Sequence, residues 1–184
     1  MGFDLSGMNP NMSSPEPHLP PFAERTDTDW DTYYQWRDDN CGIYFRNSMW
    51  EWRPLWNFVT ATCDDILTEK DVRGGGFNDG HRISKTKAGR IAKRLHSMIE
   101  DSRVKEYEDA FTKHLASLEQ VDCDICDATG KRQEPPKTGA GDRECNGCNG
   151  TGKTDDWAKS YPFSEDNVRQ FANFCLNSGG FRIC

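Results

Sequence analysis

No stretch of 18 apolar residues occurs anywhere in this chain of 184, and a helix needs about that many to cross a bilayer. A membrane-spanning protein is therefore not expected. A surplus of basic residues is missing too: 23 Lys and Arg face 30 Asp and Glu, for a formal net charge of −7. That balance speaks against a general nucleic-acid coat, because neutralising phosphates takes surplus cations. It leaves room for a protein that occupies a basic surface on a partner. Histidine is scarce, and His18, His81, His96 and His114 are isolated from one another. No H-x-x-x-H pair and no serine elbow is present. A catalytic set can be assembled from distant residues, but no nucleophile–base pair shows itself, and the reading inclines towards a non-enzyme. No signal peptide is readable either, so a cytoplasmic location is expected.

Against these absences stand eight cysteines. Four of them form two pairs, Cys123-Asp124-Ile125-Cys126 and Cys145-Asn146-Gly147-Cys148, with 18 residues between the pairs. This is the spacing of a zinc ribbon. Thiolates two residues apart can turn towards one point, and two such turns complete a tetrahedron at about 2.3 Å from each sulfur to Zn²⁺. Four cysteines would close the coordination sphere, so the expected zinc is structural: one ion, held by Cys123, Cys126, Cys145 and Cys148. The alternative is two disulfides or free thiols, which would suit a secreted, cysteine-dense chain. The scatter of the other four cysteines favours metal.

Residues Cys145-Asn146-Gly147-Cys148-Asn149-Gly150-Thr151-Gly152 resemble the C-x-x-C-x-G-x-G repeat of the DnaJ cysteine-rich domain and of the anti-TRAP inhibitor. The first copy, Cys123 to Gly130, departs from the repeat by placing Ala128 where its first glycine belongs. The resemblance covers about 30 residues and implies a zinc-held β-hairpin used in protein contact. It does not imply a co-chaperone, since the His-Pro-Asp signature is absent. Separately, Tyr44 to Trp56, Asn78-Asp79-Gly80-His81 and Ser178-Gly179-Gly180-Phe181 resemble small proteins of phages and prophages, from which no activity carries over. For a phage protein, the expected location is the host cytoplasm.

The rest of the chain reads as mainly α, a small helical domain with the zinc ribbon as an inserted β-hairpin. Residues 1–30 carry Pro10, Pro15, Pro17, Pro20 and Pro21 and predict an extended arm, touching the domain through Phe3, Leu5 and Phe22. A helical domain is expected over 31–120, the ribbon over 121–155, and a helix with its tail over 156–184. Trp30, Tyr33, Tyr34 and Trp36 among aspartates make an acidic, aromatic segment, either a cover for the core or a docking patch. Ser48 and Glu51 have the form of a capping box, and Pro54 suits only a first helical turn. A helix is thus predicted from 50 or 54 to 69, with Leu55, Trp56, Val59, Cys63, Ile66 and Leu67 on one stripe. A second helix follows the Ser84 cap, a third runs over 103–120, and a last one follows the Ser164 cap.

Three further candidate sites arise from this pattern. The glycine-rich segment Arg73 to Ser84, with Asn78, Asp79, His81 and Arg82, could turn backbone N–H groups towards a small anion at a helix start; the plain alternative is a flexible turn. Trp52 and Arg53, on the outer side of their helix, could stack on a ligand or partner; tryptophans at helical spacing also build cores. Lys87, Arg90, Lys93 and Arg94 form a basic flank that could hold phosphates, or simply a solvated face. Cys41, His81 and Cys184 could meet at a second metal. Three functions follow: an interaction protein, such as a phage-encoded inhibitor of a host defence protein; a binder of a small anion or nucleotide; and a nucleic-acid binder.

Overall fold

The computed structural model describes residues 2–135 and 137–184. Among these residues are six α-helices and several small antiparallel sheets, divided into two compact units. The first unit comprises the residues up to Asp109 together with Phe163–Cys184, and the second is Ala110–Pro162.

A four-stranded antiparallel sheet organises the first unit. Its strands are β1 (Gly2–Gly7), β2 (Tyr44–Ser48), β3 (Arg82–Ser84) and, from the far end of the chain, the strand Gly180–Ile183. Three helices supply its covering apolar faces: α2 (Met49–Thr62), α4 (Lys85–Glu100) and α6 (Glu165–Asn177). The segment expected to be an extended arm thus begins as an inner strand. Leu5 pairs with Ile183 on one side and Phe45 on the other. The reason lies in the alternation Phe3–Asp4–Leu5–Ser6: period two buries Phe3 and Leu5 on one face and leaves the polar side chains outside,. Phe45, Ile83, Phe181 and Ile183 join the same buried layer.

Aromatic rings fill that layer. Trp52 lies between Phe3 and Trp56, with ring centroids 5.3 Å away on both sides. Phe45, Phe171, Phe174 and Phe181 form a second group with neighbouring centroids 5.5–5.8 Å apart. Each such side chain contributes about 1.5–3 kcal/mol by leaving water.

Helix starts follow the expected caps, with Ser48, Ser84 and Ser164 hydroxyls accepting the N–H three residues on. Two boundaries differ from expectation. The helix predicted to reach residue 69 stops at Thr62, because Thr68 and Asp71 form a capping box of their own and start α3 (Glu69–Gly74). The buried Cys63, Ile66 and Leu67 lie in the turn between. Pro54 also stands inside α2 rather than in its first turn, where it removes one i→i−4 bond. A further helix, α1 (Asp27–Asp39), opens with the Thr26–Asp29 capping box and buries Trp36. In α5 (Arg103–Ser117), Val104 is fully buried, while Phe111 and Leu115 are half-buried.

The second unit is built around four two-residue strands. β4 (Val121–Asp122) pairs with β7 (Lys153–Thr154), and β5 (Lys131–Arg132) with β6 (Arg143–Glu144); the strand Gly180–Ile183 is accordingly β8. One cysteine pair sits between β4 and β5, the other between β6 and β7.

Candidate metal centre

Each cysteine pair closes a tight knuckle. In the first, Ala128 N–H donates to the Cys123 carbonyl (2.9 Å) and Thr129 N–H to that of Cys126 (3.1 Å). In the second, Gly150 N–H donates to the Cys145 carbonyl and Thr151 N–H to that of Cys148, both at 3.0 Å. Thr129 and Thr151 repeat the match through their hydroxyls, each donating to the second cysteine's carbonyl at 2.6 Å. The two copies then exchange bonds: Cys123 N–H donates to Gly152 O, and Cys145 N–H to Gly130 O, both at 2.9 Å. Positions offset by 22 residues thus play the same part in each copy.

Glycine is required where the copies meet. Gly130 and Gly152 have φ of +74° and +77°, and a Cβ on either would lie 2.2 Å from the carbonyl oxygen of Gly150 or Ala128. The departure noted in the first copy has a conformational cost, for Ala128 adopts φ +61° where its counterpart Gly150 has +77°.

The knuckles bring four buried sulfurs together, all within 4.8 Å of one another. Cys123 and Cys145 Sγ are 3.9 Å apart, Cys126 and Cys148 Sγ 3.7 Å. A tetrahedron with metal–sulfur bonds of about 2.3 Å has edges of about 3.8 Å. A disulfide needs sulfurs at about 2.05 Å, and all four thiols are free. Gly152 N–H donates to Cys148 Sγ at 3.2 Å, the kind of outer contact that steadies a thiolate. Burial opposes charge on these sulfurs. At Cys126 it prevails and, with the neighbouring thiols, pushes the group up; at Cys148 the Gly152 amide and the other thiols outweigh it and bring the group down. The donor set and its spacing fit a four-coordinate metal ion.

Residues 147–154 also spell G-x-x-x-x-G-K-T, a pattern the sequence reading passed over. Here it is no phosphate loop. Its first half is the metal knuckle, Lys153 lies in β7 paired with Asp122, and the next element is a short 3-10 turn (Trp157–Ser160) rather than an α-helix opened by the motif,.

The other candidates fare differently. Trp52 is not on an outer face: it is fully buried and donates its indole N–H to Gly75 O at 2.8 Å. Arg53 is exposed on the same helix. In the glycine-rich segment, Asn78 Nδ2 donates to Gly2 O (2.8 Å) and Asp79 accepts from His81 N–H (3.2 Å), so both hold the loop. Arg73, Asp79 and His81 border an open cavity of about 410 Å³, with Lys70 and Phe77. Arg82 projects from β3 beside Arg182 instead. Arg90 and Arg94 both pair with Asp65, at 3.2 and 3.1 Å, and Arg94 also donates to Thr62 O. Among the described residues no second group of three metal-ligating side chains forms, and Cys41 lies beside Asn173 and Asn177 instead of meeting His81 and Cys184.

One cluster escaped the sequence reading. Asp71, with 7% of its side chain exposed, receives Lys87 Nζ, Thr68 Oγ1 (2.6 Å) and Thr68 N–H (2.9 Å), and faces His81 Nε2 at 3.0 Å. Burial works against its charge, but Lys87, Thr68 and His81 outweigh it and hold the carboxyl well below the usual range. The Thr68-x-x-Asp71 spacing was the signal available.

Compared with known proteins, the chain matches no family model, no curated protein and no solved structure. No helix among the described residues is long and apolar enough to cross a membrane.

Proposed function

We propose that this is a zinc-stabilised interaction protein, acting by occupying a partner rather than by transforming a substrate. The observation that carries this is the closed set of four sulfurs, Cys123, Cys126, Cys145 and Cys148, at tetrahedral spacing. Zinc is the ion that four thiolates suit best among common metals, and four protein ligands leave no position for water or substrate. The metal therefore supplies folding energy to Ala110–Pro162, a unit of two-residue strands whose buried centre is the cysteines themselves,. We assign the hairpin pair as a zinc ribbon. Its likeness to the DnaJ and anti-TRAP repeats supports use in protein contact, and the finer reading, a phage inhibitor of a host protein, rests on the phage likeness.

Elemental analysis of protein purified without added metal tests the centre. One zinc per chain is expected, lost in Cys145→Ser together with the hydrogen-exchange protection of residues 121–154. A metal-free chain with intact protection there would overturn the assignment. Affinity capture from host cells, compared between wild type and Cys145→Ser, tests whether the ribbon makes the contact.

A second reading has a specific observation behind it. The cavity that gathers Lys70, Arg73, Phe77, Asp79 and His81 offers cations for an anion and an exposed ring for a base, so a nucleotide-sized ligand is proposed there. A thermal-shift screen against nucleotides separates the readings, since a native-state ligand raises the melting temperature. The nucleic-acid reading has less support, as Arg90 and Arg94 already share Asp65.

A further inference from the structure

We propose that α1 and the turn before it form a docking surface for an arginine-rich basic segment of a partner protein. Trp36 is the helix's buried residue, so most of a 13-residue helix faces solvent. A helix covered on one narrow side leaves the other available, and an exposed apolar patch of this kind marks contact.

Rings run along its outer side, with Phe22 and Tyr34 exposed and Trp30 and Tyr33 half-buried. Trp30, Tyr33 and Tyr34 recur at helical neighbours, and Phe22 from the preceding turn sets its edge against Trp30 at 6.2 Å. Trp30 and Tyr34 are stacked at 5.9 Å. Phe22 is 77% exposed and Tyr34 47%. The protein itself shows which ligand these rings take. Arg25 places its guanidinium 4.9 Å from the Trp30 ring and 5.7 Å from Phe22, and Arg37 lies 5.4 Å from Tyr34 and 4.9 Å from Tyr44. Two arginines of the chain already sit on these rings, the pairing that an aromatic quadrupole favours,.

Charge complementarity fixes the sign of the partner. Residues 22–39 hold six acids and two arginines, which gives 2 − 6 = −4 of the chain's −7. At about 100° per residue, Asp27, Asp31 and Asp38 fall together on the flank of the stripe away from Trp36, and all three are exposed. A guanidinium brought to the exposed Tyr34 therefore has the carboxylates of Asp31 and Asp38 three and four residues away on the helix surface,. Arginine suits this pairing better than lysine, because its planar, weakly hydrated group stacks and forks where an ammonium does neither.

The test uses the full chain and two labelled peptides of twelve residues, one alternating Arg with Gly and one alternating Lys with Gly, followed by fluorescence anisotropy. The arginine peptide is expected to bind more tightly than the lysine peptide of equal charge. Tyr34→Ala should weaken the arginine peptide by about two- to fivefold, the equivalent of one exposed cation–π contact. The double change Asp31→Lys/Asp38→Lys should weaken both peptides about tenfold at low salt, whereas Glu106→Lys/Glu119→Lys, the same charge change elsewhere, should not. Equal affinity for the two peptides overturns the proposal, as does an unchanged Tyr34→Ala or an equal effect of the two reversals. Any of those results would mean only a diffuse attraction to an acidic protein. Chelation should leave the result unaltered, so this surface and the metal centre fail or stand separately.

Discussion

Ala128 carries the sharpest residue-level consequence of the internal two-fold repeat. Its backbone is left-handed at φ +61°, a conformation the second copy gives to Gly150. A left-handed alanine costs roughly 1–2 kcal/mol. Ala128→Gly should therefore stabilise the unit by about 1 kcal/mol after the glycine's larger unfolded-state entropy is counted, read as slower loss of the bound metal to a chelator. Asp71 presents the opposite case, a buried charge whose partners are all in place. Asp71→Ala leaves Lys87 without its carboxylate and should cost about 3–5 kcal/mol in urea unfolding. Because the folded carboxyl titrates below its unfolded value of about 3.9, its contribution is complete above that pH and is lost as acid drives the pH below it. The stability gap between wild type and Asp71→Asn should accordingly narrow progressively as the pH falls below about 4.

At the scale of elements, what could be read in advance was what local chemistry decides. Ser48, Ser84 and Ser164 mark helix starts because a hydroxyl next to an apolar period has one obvious partner, the N–H three residues on,. The two C-x-x-C pairs are legible for the same reason, since their geometry is set within four residues. Other elements depend on distant parts of the chain. The alternation Phe3–Asp4–Leu5–Ser6 is too short to announce a strand by itself, and five prolines downstream suggest the contrary; its pairing with β2 and β8 decides. Trp52 was misplaced because helical spacing cannot say that α3, started by Thr68, would bring the Gly75 carbonyl to its indole. The basic flank, in turn, could not be judged without knowing that Asp65 neutralises two of its arginines. Leu5→Ala should cost about 2–5 kcal/mol in chemical unfolding, as for any wholly buried leucine, whereas loss of a disordered arm would cost nothing.

On the scale of the whole molecule, the two units draw on different sources of stability. Rings and aliphatic side chains fill the first, while the second has the four cysteines as its buried cluster. Chelation should therefore release amide protection in Ala110–Pro162 and leave the four-stranded sheet protected, a separation that hydrogen exchange reads residue by residue. Loss of protection throughout the chain would show that the metal holds more than its own unit.

The inner strands of that sheet, β1 and β8, are far apart in sequence. Asp4 and Cys184 exchange two backbone hydrogen bonds, at 3.0 and 2.7 Å. During synthesis, β1 emerges long before its partner Gly180–Ile183 and must wait for it before the sheet can close. Sequence separation of this size slows folding, and the waiting strand, with Phe3 and Leu5 uncovered, is a hazard for sticking to other nascent chains. A chain cut before Gly180 should consequently accumulate as aggregate, and a permuted version that joins β8 directly to β1 should fold faster than the natural order.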